Sequence, residues 1–411
     1  MNQERTKFFP IVGLLFISLL VSFSSYVLVD PNLILLNSEL WVQIQMWFWR
    51  SLGYWDVLAL VYLALIVSWW GLYLWGVRIA ESVLERSQLW IGVAVCVFVL
   101  WLGHNALSHD IFNYLFNAKM VAEYSSNPHV RTAIEFSYDP WVRFMHNIHT
   151  PAPYGYGWTA VSLLPYWLGL GSFLLTYFAM KAWMIFGLGL YLYFGWRLLE
   201  KWPVQQKIQR LWLFAFNPIL LWETVLNGHN DVWMMWPALA AFFFVLKKDR
   251  KLWHLVLAGM LLAFSISIKL VTIVLVPVIL FLLLWPVLKK WMAKLSSLLE
   301  RLGDHFFTFW PEYASLALLV PLVTSRSQQF LPWYLIWTWS FFPLLRWRWL
   351  RWLLLAFTLT SQLRYVPWLM NGLEYTARLQ QEMRIVTWGA VPLIIVLILI
   401  SQRSKLLPRY K

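Results

Sequence analysis

Long apolar runs separated by short polar or basic connections recur from one end of the chain to the other, with 270–284 and 395–400 among the most continuous. At about 20 apolar residues per crossing, this pattern predicts an all-α polytopic integral membrane protein of about 12 transmembrane helices forming one domain over 1–411. The spans fall near 8–29, 55–77, 89–103, 158–197, 211–226, 232–246, 253–268, 270–287, 313–324, 331–345, 349–368 and 385–400. Residues 158–197 exceed what one helix needs at about 1.5 Å per residue. Gly169 and Gly171 are expected to divide them into a short re-entrant or interfacial helix and a full span.

Composition supports the bilayer as solvent: 61% of residues are hydrophobic and 13% charged, too few charges to cover a globule in water. A water-soluble enzyme is therefore excluded. Residues 8–29 follow Arg5 and Lys7 as a signal peptide would, but the apolar stretch is long and no small-residue cleavage site follows it. It is read as the first span. Cys96 is the single cysteine, which leaves no disulfide framework, zinc cluster or local cysteine motif. The net charge of +14 lies mostly at helix ends, and so speaks for topology and not for nucleic acid.

With the N-terminus cytoplasmic, the basic clusters at Lys247, Lys248, Arg250 and Lys251, at 289–301, at Arg346, Arg348 and Arg351, and at 403–411 all fall inside, as does the C-terminus. The longest polar stretch, 105–157, then lies outside the plasma membrane. So do Asn227-Gly228-His229-Asn230-Asp231, Lys269, and Arg326 to Gln329. One extracytoplasmic site would gather them.

Within the outer stretch, Asp110, Asn113, Tyr114 and Asn117 repeat at i, i+3, i+4 and i+7 and share a helix face, while Ile111, Leu115, Ala118 and Ala122 make an apolar one. This predicts an amphipathic helix lying at the outer interface. Asp110 near its start is either a helix cap or a carboxylate able to take a proton from a hydroxyl, with His109 and the asparagines around it. The loop continues through Asn127, Pro128 and His129 to His146, His149, Tyr154 and Tyr156. These suit hydrogen bonds to sugar hydroxyls or interfacial anchoring. His146 and His149 have metal-pair spacing but lack a third ligand at defined spacing, so no metal or cofactor is expected.

Asn227 to Asp231 is either a tight turn or a polar site, since a turn by itself calls for neither His nor Asp. Lys269 follows a largely apolar run, and an intramembrane lysine is functional unless it snorkels to the interface. Arg326, Gln328 and Gln329 precede Pro332-Trp333-Tyr334, and an arginine sharing a face with Lys269 could clamp a phosphate group.

The order of these motifs resembles the GT-C superfamily of polyprenyl-phosphate-sugar-dependent glycosyltransferases, and its bacterial mannosyltransferase-like branch in particular. The resemblance rests on Asp110-Ile-Phe-Asn-Tyr114, Asn127-Pro128, Tyr154-Gly155, Gly228-His229-Asn230-Asp231, Ser267-Ile268-Lys269 and Trp333-Tyr334, over about residues 100–345. It implies an inverting hexosyltransferase at the outer face, with Asp110 in the catalytic loop 105–157 as base. It further implies Lys269, Arg326 and Gln329 at the donor phosphate, and His109, Asn113, Tyr114, Asn127, His129, His146, His149, Tyr154, Tyr156, Asn227, His229, Asn230 and Asp231 around substrate. The implied partners are a polyprenyl-phosphate-sugar donor, a lipid-linked or glycan acceptor and membrane lipids, with no nucleic acid. His129 and Tyr156 stand where the family often has Tyr and Pro, and residues 1–86 read as an added N-terminal hairpin. A transporter or flippase, or a polysaccharide polymerase or ligase acting on lipid-linked glycans, is the competing reading. The absence of an internal repeat and the gathering of polar residues at one face argue against transport.

Overall fold

Proline residues, tight turns and buried polar groups cut the apolar runs into shorter helices than hydropathy alone predicts. The computed structural model describes residues 3–27, 39–51, 54–82, 84–324, 330–372, 376–389, 391–392 and 395–396, and no strand occurs among them. The first half comprises α1 (Gln3–Val27), α2 (Glu39–Ser51), α3 (Tyr54–Ser82), α4 (Arg86–Leu102), α5 (Asp110–Ala122), α6 (Tyr156–Leu168), α7 (Phe173–Leu198), α8 (Val204–Ala215) and α9 (Pro218–Leu221). A π-helical turn, Trp222–Leu226, extends α9. The second half comprises α10 (Asp231–Val245), α11 (Leu252–Ile268), α12 (Val276–Leu295), α13 (Ser297–Thr308), α14 (Trp310–Leu319), α15 (Leu335–Trp339), α16 (Arg348–Leu363), α17 (Tyr365–Met370) and α18 (Ala377–Arg384).

Among the described residues, four helical stretches are long and apolar enough to cross a membrane: Phe8–Val27, Trp55–Ala80, Phe173–Leu198 and Leu270–Leu295. The pair Ser297–Thr308 and Trp310–Val323, bent by 75°, would make a fifth span. The expected count of about 12, from roughly 20 apolar residues per span, is therefore not reached on length and composition. The physical reason is visible in two of the expected spans. Residues 211–226 hold the end of α8, the short α9 and the π turn, with Asn217 capping α9 through its side chain. Residues 331–345 are a 3-10 turn at Pro332–Tyr334, the short α15 and a second 3-10 turn at Phe342–Leu344. The expected division of 158–197 is present, with α6 ending at Leu168 and α7 starting at Phe173.

A single apolar core runs from Leu14 to Val391. Helix α10 packs between α7 and α11, α1 lies on α3 and α4, and α3 also meets α8 and α17. The N-terminal pair α1 and α3 is thus built into the same core. The junction is held by side chains reaching to backbone groups: Trp69 Nε1 donates to the Phe216 carbonyl at 3.0 Å, Tyr73 OH to Leu213 at 2.7 Å, and Trp212 Nε1 to Tyr73 at 2.9 Å. At this junction the large rings fill space while their polar tips find backbone acceptors.

The helix expected at the outer interface is present as α5, but it is not a surface helix. Every residue from Ile111 to Met120 is buried, polar and apolar faces alike. Residues 123–155 fold back over it through 3-10 turns at Ala133–Phe136 and Val142–Phe144. Phe144 packs on Phe112, ring centroids 5.2 Å apart, and Phe136 on Phe116 at 6.3 Å. Lys119 pins the cover by an ion pair to Asp139 at 2.7 Å, and Tyr124 donates to the same carboxylate at 2.7 Å.

Candidate active site

Five helix ends converge, and each brings a polar side chain that the apolar core behind it holds in place. The start of α5 supplies Asp110, the start of α6 follows Tyr154, the start of α10 supplies Asp231, the end of α11 leads to Lys269, and the start of α15 leads to Trp337. The turn before α10 is shaped by the π helix: Asn227 N donates to the Trp222 carbonyl and His229 N to the Glu223 carbonyl, both at 2.9 Å. Gly228 completes it at φ +75°, in the left-handed region that glycine enters without a Cβ clash. The widened turn sets Glu223 and His229 side by side, in keeping with the use of π turns at functional sites.

Asp110 is not spent on capping its helix, because His109 occupies the N-cap position. Its Oδ2 accepts from Tyr154 OH at 2.8 Å and lies 3.4 Å from His229 Nδ1. The opposite nitrogen, Nε2, lies 3.5 Å from Glu223 Oε2. Trp333 stacks on the imidazole with centroids 3.5 Å apart and planes at 19°. Glu223 in turn accepts from Asn227 Nδ2 at 3.0 Å and from Tyr365 OH at 3.1 Å. Alongside, Lys269 Nζ pairs with Asp231 Oδ1 at 2.7 Å, and Trp337 Nε1 donates to the same oxygen. Lys269 therefore does not snorkel away. Its ammonium lies over the Tyr154 ring at 5.3 Å and so joins the two halves of the cluster.

Burial by itself would raise the Asp110 carboxyl. The hydrogen bond and charge of His229, the hydrogen bond of Tyr154 and the charge of Lys269 outweigh it and hold the group below the ordinary carboxylate range. It is ionised at neutral pH. Beside it, the buried Asn230 leaves both its side-chain nitrogen and oxygen without a hydrogen bond, and Asn113 Oδ1 is also unpaired. Buried amides without a partner are costly, which sets these two side chains apart within the cluster.

Of the residues expected from sequence, Asp110, Asn113, Tyr114, Tyr154, Asn227, His229, Asn230, Asp231 and Lys269 belong to this cluster, with Tyr114 against Tyr154 at a ring separation of 5.1 Å. His109 and His146 stack on each other at 3.7 Å beside it, and His109 Nδ1 lies 2.9 Å from the Phe144 carbonyl. Asn127, His129 and Tyr156 form a separate group. Asn127 Nδ2 donates to Tyr156 OH at 3.2 Å and His129 Nε2 meets Thr159 Oγ1 at 2.9 Å. His149 is exposed and hydrogen-bonds to neither group. Arg326, Gln328 and Gln329 lie outside the described residues. Among the described residues no group of three or more His, Cys, Asp or Glu is placed to hold a metal ion.

Glu223, Trp333, Trp337 and Tyr365 were not among the expected site residues. Glu223 carried a usable signal, being an acid inside an apolar run, which is the same reason that singled out Lys269. Gly155 explains how the loop reaches the cluster: its N–H donates to the Ile268 carbonyl at 2.8 Å, and an added Cβ would lie 2.0 Å from the Ser267 carbonyl oxygen. Gly155→Ala is therefore expected to force α6 and α11 apart at a cost of about 1–3 kcal/mol, as overpacking does. A melting temperature in detergent equal to wild type would contradict that close approach.

The MptA_B family model, alpha-(1->6)-mannopyranosyltransferase, N-terminal domain, matches residues 11–285. The chain belongs to this family. The match takes in Asp110, Tyr154, Glu223, the turn at 227–231 and Lys269, and ends before Trp333, Trp337 and Tyr365. Membership of the mannopyranosyltransferase family, with helices able to cross a bilayer, identifies a membrane glycosyltransferase that takes a sugar donor and a glycan acceptor. Neither a curated protein nor a solved structure matches the chain.

Proposed function

We propose that the chain transfers mannose, or another hexose or pentose, from a polyprenyl-phosphate donor to a hydroxyl of a lipid-linked or glycan acceptor at the extracytoplasmic face of the plasma membrane. The observation that carries this reading is the ionised Asp110, with its Tyr154 and His229 contacts both on Oδ2, so that Oδ1 is the oxygen offered to an acceptor. In the transfer the acceptor hydroxyl gives its proton to Asp110 and its oxygen bonds to the anomeric carbon. The carbon–oxygen bond to phosphate breaks, and its electron pair leaves with the polyprenyl phosphate. Attack from the side opposite the leaving group inverts the anomeric centre. Lys269 spends one N–H on Asp231 and keeps others for the departing phosphate. Asn113 and Asn230 bind sugar hydroxyls, and both termini lie in the cytoplasm.

The test is reconstitution of the full chain in vesicles with polyprenyl-phosphate-mannose and membrane lipid acceptors. Polyprenyl phosphate released in step with glycosylated acceptor supports the reading, and movement of intact donor across the bilayer without release overturns it. The acid side of the pH profile adds a second check. Because Asp110 works ionised and its partners hold its carboxyl low, kcat/KM is retained as pH falls until below the ordinary carboxylate range. Tyr154→Phe removes one of the stabilising hydrogen bonds, so the acid limb is expected to move to higher pH. A limb that stays in place in this variant would show that Tyr154 does not act on the titrating group.

A further inference from the structure

The Asp110 contacts continue inward in a direction that proton abstraction alone does not require. His229 is fully buried and joins two carboxylates, Asp110 on Nδ1 and Glu223 on Nε2, while Trp333 fixes the plane of its ring. Glu223, 1% exposed in its side chain, receives Asn227 and Tyr365 as donors, which fixes its own orientation. Such a chain has a chemical consequence. When Glu223 holds the proton of the Glu223–His229 edge, or when the imidazole between the two carboxylates carries both of its hydrogens, Nδ1 has a hydrogen to point at Asp110 Oδ2. Without an acid at Nε2, the neutral imidazole is free to place its single hydrogen there, and a lone pair would then face the Asp110 carboxylate.

We propose that Glu223 and His229 form a positioning dyad behind Asp110, fixing an N–H on Oδ2 so that Oδ1 is ionised and aimed at the acceptor hydroxyl. This rests on the reading of Asp110 as base. Neither dyad residue touches the reacting atoms. When Asp110 takes the acceptor proton on Oδ1, the bond from Nδ1 to Oδ2 is kept, and the proton leaves to solvent from Asp110 after the product departs. The logic is that of an acid that holds a histidine in one tautomer, with the histidine here acting on a second carboxylate. The titratable groups facing Asp110 are Tyr114 on its own helix, His146 and Tyr154 from the outer loop, His229, Lys269 and Tyr334. Of these, His229 has a buried acid, Glu223, on its far side.

The experiment compares Glu223→Gln, Tyr365→Phe and His229→Asn with wild type in vesicles, using polyprenyl-phosphate-mannose and lipid acceptor over a range of pH. Glu223→Gln is expected to lower kcat by up to about 100-fold, the lower end of what a positioned base contributes, with donor KM unchanged. The acid limb should move to higher pH in all three variants, and least in Tyr365→Phe, which keeps the acid and removes one donor. In an Asp110→Asn background, Glu223→Gln should cost no further activity, because the dyad acts through that carboxylate. A Glu223→Gln protein that melts lower but keeps the wild-type limb and kcat, or that multiplies with the Asp110→Asn loss, overturns the dyad. If Glu223→Gln does not fold, the limb of Tyr365→Phe decides: unmoved, the dyad is wrong. Asp110→Asn with full transfer, or no release of phosphate from any donor, would instead remove the reading of Asp110, and the dyad with it.

Discussion

Asp110→Asn is expected to lower sugar transfer by about 10²–10⁴-fold while leaving donor binding in place, the loss that follows when a positioned general base is removed. Asparagine has nearly the same shape, and its amide oxygen can still accept from Tyr154 and His229, so the local packing has little reason to change. What is lost is the ability to take a proton from the acceptor as its oxygen attacks. The defect should therefore fall on kcat, with donor KM close to wild type, the signature of an interaction made only in the transition state. Polyprenyl-phosphate release measured on the folded variant in vesicles is the direct readout. Equal release from wild type and variant would remove Asp110 from the mechanism and favour a ligase-like site that needs no base there.

The candidate site was more legible in the sequence than the span count, and for a physical reason. Asp110, His229, Asp231 and Lys269 stand out because a charged or titratable group in apolar surroundings is costly unless partnered, and four such groups had one another to meet. The structure brings these groups together through Tyr154, His229 and the Lys269–Asp231 pair. Hydropathy, in contrast, averages over a window, so it does not detect Asn217 starting a new helix within 211–226 or the 3-10 turns flanking α15. The same averaging hid Glu223. Periodicity found the polar face of α5 but was silent on what lies above it, because residues 123–155 become a cover only through contacts such as Lys119 with Asp139. Trp337 could not be told from the other tryptophans, since its role depends on reaching Asp231 across the fold.

Lys269→Met is expected to be the most damaging single change to stability in the cluster, because it leaves Asp231, fully buried, without its cation. Breaking one partner of a buried ion pair costs about 3–5 kcal/mol, most of it the desolvation of the charge left behind. The Trp337 indole still donates to Asp231 Oδ1, but one neutral donor does not balance a carboxylate. Adding Asp231→Asn to Lys269→Met removes the stranded charge, so the double variant should recover much of the melting temperature in detergent. Activity should not return with it, because the cation proposed to meet the departing phosphate is still missing. Stability and turnover are thus predicted to separate in the double variant. Recovery of both would make the pair structural only, while a double variant no more stable than Lys269→Met would mean that the pair does not carry the buried charge as its geometry implies.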